Sequence, residues 1–176
     1  MDAIVNNFVK MEPLNLEHTK ELYDLTEANR SHLREWLPWL DHIKDCSDTK
    51  SFISTYEKEG APPHFAVFYR DRMCGVIGFH HIDTQHKVGS IGYWLDYGHT
   101  GKGIVSTALK KLLKHGFREH NLHKIEIRCA EENFKSRAIP ERLGFVYEAT
   151  LRDCEWLYTK FVNHAVYSLL ATEFTA

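Results

Sequence analysis

With 176 residues, 43% hydrophobic and 12% aromatic, the chain is long enough to bury a sizeable core, and a single domain over residues 1–176 is expected. Its 22 basic and 24 acidic residues nearly cancel, which excludes a global attraction to nucleic acid or to an anionic membrane; no apolar run approaches the roughly 18 to 20 residues that span a bilayer. The start, Met1 to Asn7, lacks a charged-then-apolar secretory pattern, so a cytoplasmic address is expected; Cys46, Cys74, Cys129 and Cys154 form no C-x-x-C pair and the 12 histidines match no ligand spacing, so no metal is expected.

In chain order, a short strand is expected around Phe8 to Glu12, followed by a helix that Asn15 caps before Leu16, Leu22 and Leu25. A second short helix spans Ser31 to Leu37 and is stopped by Pro38. Asp48 reads as the N-cap of a third, holding Phe52, Ile53 and Tyr56 and ending by Gly60 and Pro62-Pro63. The pattern then changes to strand, with Phe65 to Tyr69 and Met73 to Ile82 forming a hairpin across Arg70-Asp71-Arg72. A strand from Val88 to Leu95 runs into the turn Gly98-His99-Thr100-Gly101-Lys102-Gly103. Beyond it Ile104, Val105, Ala108, Leu109, Leu112, Leu113 and Phe117 recur at the spacing of one helical stripe. Next come a strand at Lys124 to Cys129, a helix from about Asn133 to Arg142, and final strands near Phe145 to Arg152 and Trp156 to Leu169. The fold class is α/β (α+β), with a single layer of sheet.

A glycine-rich turn between a strand and a helix offers unpaired backbone N–H groups and a helix dipole to a phosphate, and Gly101 and Gly103 let the backbone approach closely. The same residues also make a plain turn. A P-loop is excluded, because Asp96 stands where its first glycine belongs and Gly103 where Ser or Thr should follow Lys102. A Rossmann fingerprint fails as well, since Ser106 occupies its last glycine position.

Three ordered segments carry a family resemblance: Ile91-Gly92-Tyr93-Trp94-Leu95, Thr100-Gly101-Lys102-Gly103-Ile104, and Glu132-Asn133-Phe134-Lys135-Ser136-Arg137-Ala138-Ile139-Pro140-Glu141-Arg142-Leu143-Gly144-Phe145. Together they resemble the GNAT superfamily of N-acetyltransferases, in its RimJ/RimL branch, which acetylates protein N-terminal amines; the resemblance orders residues 8–170. It implies a mixed sheet of about seven strands splayed to hold acetyl-CoA. Pantetheine would run along the backbone of Tyr93, Trp94 and Leu95, and the pyrophosphate would sit on amides from His99 through Thr100, Gly101, Lys102 and Gly103 to Ile104. The resemblance gives the Leu95 N–H the oxyanion, places Ser136 beside the thiol as proton donor with Asn133 near it, and makes Glu155 the base. Strand packing explains the Tyr93 and Trp94 side chains equally, helix capping explains Asn133 and Ser136, and a salt-bridged strand position explains Glu155. Trp156 and Tyr158 beside Glu155 would bury it and raise its proton affinity. Trp36 and Trp39, with Glu35, Asp41 and Asp45 near them, are expected to line the acceptor groove, although a buried helix end explains the tryptophans too.

The chain departs from the family pattern at Gly98 and Thr100 in the turn, at Ser90, where the branch often has Glu, and at Pro140, where many relatives have the acid Tyr. Pro140 cannot donate to the Ser136 carbonyl, so the helix is expected to loosen there. The implied function is acetyl-CoA-dependent N-acetyl transfer to a protein N-terminal amine, such as that of a ribosomal protein, by a homo-oligomer. The alternatives are a small-molecule amine acceptor and a CoA-sensing module without turnover.

Overall fold

The computed structural model describes residues 8–175; the chain start read above lies outside them. Seven strands form one mixed sheet in the order β1-β2-β3-β4-β5-β7-β6. They are β1 (Val9–Pro13), β2 (His64–Tyr69), β3 (Arg72–Asp83), β4 (Val88–Leu95), β5 (Lys124–Ala130), β6 (Val146–Leu157) and β7 (Lys160–Leu170). Five α-helices accompany them: α1 (Thr19–Ala28), α2 (Arg30–Arg34), α3 (Cys46–Tyr56), α4 (Ile104–Arg118) and α5 (Phe134–Arg142). The chain divides into two compact units, one holding the chain through Gly78 together with Tyr93–Ala108, the other holding Phe79–Gly92 and everything from Leu109.

In the first unit, Asn15 does cap, accepting from the Glu17 amide at 2.9 Å, but the turn it opens is 3-10 (Leu16–His18) before α1 begins. Pro38 starts an element as well as stopping one: it is the first residue of a 3-10 turn, Pro38–His42, where its missing N–H costs nothing. The N-cap of α3 is Asp45, three residues earlier than expected. Its carboxylate takes the Ser47 and Asp48 amides, and Asp48 at N3 bonds back to the Asp45 amide, so the two acids share a capping box and Asp48 fills its inner position. The hairpin β2–β3 turns on Arg70 and Asp71, at φ 51° and 60°. Leu14, Leu22, Ile53, Ala66, Phe68, Met73 and Val76 form the core, with Leu25, Phe52 and Trp94 packed against it.

In the second unit the register of β4 on β5 is parallel and runs from Val88↔Lys124 to Ile91↔Ile127. Gly116 of α4 lets the helix lie directly on the sheet, since a Cβ there would meet Phe79 at 2.8 Å and Ile125 at 2.9 Å. The part of the α4 stripe in this unit is fully buried at Leu109, Leu112 and Leu113, each side chain contributing about 1.5 to 3 kcal/mol. The final hairpin corrects the sequence reading. β6 continues through Asp153 to Leu157, and the chain reverses at Tyr158-Thr159, with Tyr158 at φ 58°. The polar stretch from Arg152 to Glu155 looks like a turn because it is a bulge. Pairing passes from Leu151↔His164 to Glu155↔Val162, Asp153 stands at φ 48°, and its amide donates to Asn163 Oδ1 at 2.9 Å.

Candidate active site

In the first unit, β4 ends against β3 with the Asp96 amide donating to the Cys74 carbonyl at 2.8 Å. Because N–H groups alternate along a strand, this bond turns the Leu95 N–H away from β3. Gly75 makes the approach possible: a Cβ there would lie 2.2 Å from the Trp94 carbonyl oxygen. Past Leu95 the chain winds into a 3-10 turn, Tyr97–His99. Its shape is held by Asp96, whose Oδ1 is 2.6 Å from His99 Nδ1, and by Asn29, whose Oδ1 accepts the Tyr97 amide at 3.0 Å.

The turn also decides which amides an anion can use. His99 N–H donates to the Asp96 carbonyl and Thr100 N–H to the Tyr97 carbonyl, both at 3.3 Å. Gly101, Lys102, Gly103 and Ile104 have amides with no partner among the described residues, at the N-terminus of a 15-residue helix. Gly101 and Gly103 stand at φ 76° and 73°, and a Cβ on either would meet nothing within 4 Å. Close approach from outside and a left-handed backbone both favour glycine there. Lys102 folds back, its Nζ donating to the Gly98 carbonyl at 2.8 Å. These features fit a pyrophosphate.

In the second unit, Asn133 caps α5, its Oδ1 accepting the Ser136 amide at 3.2 Å. The Ser136 hydroxyl bonds the Cys129 thiol on β5. Burial pushes that thiol up to about 11, against which the Ser136 bond works. The helix runs on through Pro140. Arg137 locks it to the sheet, with Nε on Tyr167 Oη and Nη1 on the Glu131 carbonyl, both at 2.9 Å, and Tyr167 Oη bonds Glu141 in turn. Glu155 lies on the bulged end of β6, and its Oε2 is 2.6 Å from His164 Nε2 on β7, both side chains being largely buried. Alternation along β6 puts Trp156 on the other face, where it packs edge-on against Phe161. The neighbour that Glu155 meets is therefore an imidazole, and Trp156 does not cover it.

Residues 9–146 match the acetyltransferase (GNAT) domain family. The chain belongs to the GNAT acetyltransferases. It is 30% identical over 167 residues to the ribosomal-protein-serine acetyltransferase of Escherichia coli (strain K12), with 93% of each chain covered. With the putative ribosomal N-acetyltransferase YdaF of Bacillus subtilis (strain 168) it shares 32% identity, covering 96% of this chain and 94% of the relative. Among solved structures, RimL, a ribosomal L7/L12 alpha-N-protein acetyltransferase in complex with coenzyme A, superposes with a TM-score of 0.90 at 25% identity, covering 94% of this chain and 96% of that one. The microcin C7 self-immunity acetyltransferase MccE, in complex with acetyl-CoA and AMP, gives 0.88 at 29%, with 94% of each covered.

In this GNAT chain the segment expected to line the acceptor groove is partly spoken for by its own unit. Trp39 stacks on Phe52 with centroids 5.9 Å apart and rings 3° from parallel. Asp41 is bound by Arg34, whose guanidinium holds its carboxyl below the usual range, and Asp45 is the α3 cap. Trp94 packs on the core, while Tyr93 and Trp94 backbone flanks Leu95. Sequence reasoning missed His164, Cys129 and Arg137. The latter two had a signal in the register: alternation from Lys124 buries Cys129, and Arg137 follows Ser136 on the helix. His164 depends on the bulge and had none. Among the described residues no group of three or more His, Cys, Asp and Glu side chains is placed to hold a metal, and no helix is long and apolar enough to cross a membrane.

Proposed function

We propose that the chain transfers the acetyl group of acetyl-CoA to a primary amine, the acceptor being the N-terminal amine of a protein such as a ribosomal protein, by direct transfer in a ternary complex. The donor side of this reading is carried by the four partnerless amides from Gly101 to Ile104 at the start of α4. Relatives named as ribosomal acetyltransferases support the acceptor. Tyr93 to Leu95 supply backbone to the pantetheine, and the Leu95 N–H serves the oxyanion. Glu155 takes a proton from the acceptor ammonium, directly or through one water, and the freed lone pair attacks the thioester carbon. As the tetrahedral adduct collapses, the thiolate leaves with a proton relayed by Ser136. Direct transfer asks no cysteine to carry the acyl group, and burial, which pushes the Cys129 thiol up to about 11, disfavours its thiolate at neutral pH. Edge strand β6, exposing Val146 and Tyr147, supports association into a homo-oligomer.

The test is thiol release from acetyl-CoA with peptides beginning in Ser or Ala and with spermidine as competitor amine, the product identified by mass. Peptide α-acetylation is expected, and Glu155→Gln should slow it about 10²-fold or more while acetyl-CoA binding stays intact. Tight acetyl-CoA binding without thiol release on any acceptor would replace this reading with a sensor.

A further inference from the structure

The pairing of Glu155 with His164 carries a role that the family resemblance does not supply. His164 Nε2 lies 2.6 Å from Glu155 Oε2, a short charge-assisted hydrogen bond across two adjacent strands. Next to an ionised carboxylate the neutral imidazole must carry its proton on Nε2, so that nitrogen donates and Oε2 accepts. Glu155 Oε1 and His164 Nδ1 have no partner among the described residues. One carboxylate oxygen is thus pinned and the other left to accept a proton, which is the arrangement of a base oriented by a third group.

The surroundings leave this pair to itself. Register places Ala130 of β5 and Leu151 of β6 opposite His164, both apolar. The charged groups on the same sheet face are Lys124, Glu126 and Arg128 of β5, Glu148 of β6 and Lys160 of β7. Glu126 is bound by Lys124 and Arg128, Glu148 by Ser168, and Lys160 by Glu132. On the other face, Glu131 is bound by Asn163 and Thr150, and Arg137 and Glu141 of α5 by Tyr167.

We propose that His164 is the positioning residue of the base: it pins Glu155 Oε2 and leaves Oε1 to act. Glu155 then takes the acceptor's proton on Oε1, releasing it to solvent once the amide and free thiol have formed.

This inference rests on Glu155 being the base, and the test separates the two. kcat is measured at saturating acetyl-CoA and peptide at pH 8 for the wild type, Glu155→Gln, His164→Gln and His164→Ala, with acetyl-CoA affinity and melting temperature as controls. Glutamine at 164 can still donate to Oε2, so His164→Gln should keep kcat within about threefold of the wild type. His164→Ala should lose about ten- to hundredfold in kcat, with part restored by added imidazole and acetyl-CoA affinity unchanged. Full kcat in His164→Ala, or a His164→Gln variant as impaired as His164→Ala, overturns the inference even where Glu155→Gln is inactive. Full activity in Glu155→Gln removes the base reading itself and the inference with it.

Discussion

Gly75→Ala is the sharpest perturbation available at the end of β4, because it displaces Leu95 without replacing it. The new Cβ would stand 2.2 Å from the Trp94 carbonyl oxygen, 3.1 Å from Leu95 Cα and 3.2 Å from Leu95 Cδ1. Two of these three atoms belong to the backbone, so no rotamer change relieves the contact. The end of β4 must retreat from β3 by about 1 Å to restore van der Waals distance, and a displacement of that size at a reacting centre costs about 10²-fold in rate. Overpacking of this kind also destabilises by about 1 to 3 kcal/mol. The assay is thiol release under saturating acetyl-CoA, read beside acetyl-CoA affinity and urea denaturation. The control is Gly98→Ala, where a Cβ meets nothing within 4 Å and the backbone φ is ordinary. We expect Gly75→Ala to lose kcat about 10²-fold and Gly98→Ala to keep it. Wild-type kcat in a folded Gly75→Ala variant would refute the claim that the Leu95 backbone position matters to the reaction.

The cysteines give a second expectation: iodoacetamide at pH 8 should label exposed Cys46 and Cys154 and spare Cys74 and Cys129, read by peptide mass mapping. Burial, aided by the charge of Asp96 and opposed by Lys102, pushes the Cys74 thiol from 9.0 up to about 12. A pKa raised by folding gives stability that is present in full below the unfolded value and lost as pH rises through the folded one. Stability should therefore fall between pH 9.0 and about 12, less steeply in Cys74→Ala, by denaturation at fixed pH steps. Arg137→Ala removes the charged donor to Tyr167 and to the Glu131 carbonyl and should cost about 2 to 3 kcal/mol in urea unfolding. A loss under about 0.5 kcal/mol would show that α5 is held by other contacts.

The glycine turn was legible in the sequence because every cue in it is local: glycines at the positions that need φ above zero, then an apolar stripe at helical spacing that starts at Ile104. β4 was read to the residue for the same reason, since Val88 to Leu95 is bounded on both sides by turn residues. What escaped reading depends on pairing at a distance. Asp45 and Asp48 cap equally well as isolated residues, and only the reciprocal bonds of the capping box decide between them. Gly75 looked like an ordinary strand glycine, yet its meaning lies twenty residues away at Leu95. Trp156 was misread as a cover for Glu155 because the two are neighbours in sequence, whereas in a strand the adjacent residue faces the other way.

The bulge in β6 sets how far Glu155 lies from His164, and it can be cancelled from the other strand. Were pairing continued regularly from Leu151↔His164, Glu155 would fall opposite Lys160, four residues along β7 from His164, or about 13 Å. Two extra residues in β6 instead put Glu155 opposite Val162, about 7 Å along the strand, within side-chain reach. Because the insertion is even, Glu155 keeps its face and changes only its distance. Inserting two residues into β7 between Val162 and Asn163 should match the bulge, leave alternation intact elsewhere in the hairpin, and carry His164 four residues along β7 from the position opposite Glu155, out of its reach. Such a variant is expected to melt near the wild type and bind acetyl-CoA normally, with kcat falling to the level of Glu155→Gln. If its kcat matched the wild type, neither the contact nor the bulge that makes it would be needed for the reaction, and Glu155 would be a strand residue with a salt bridge.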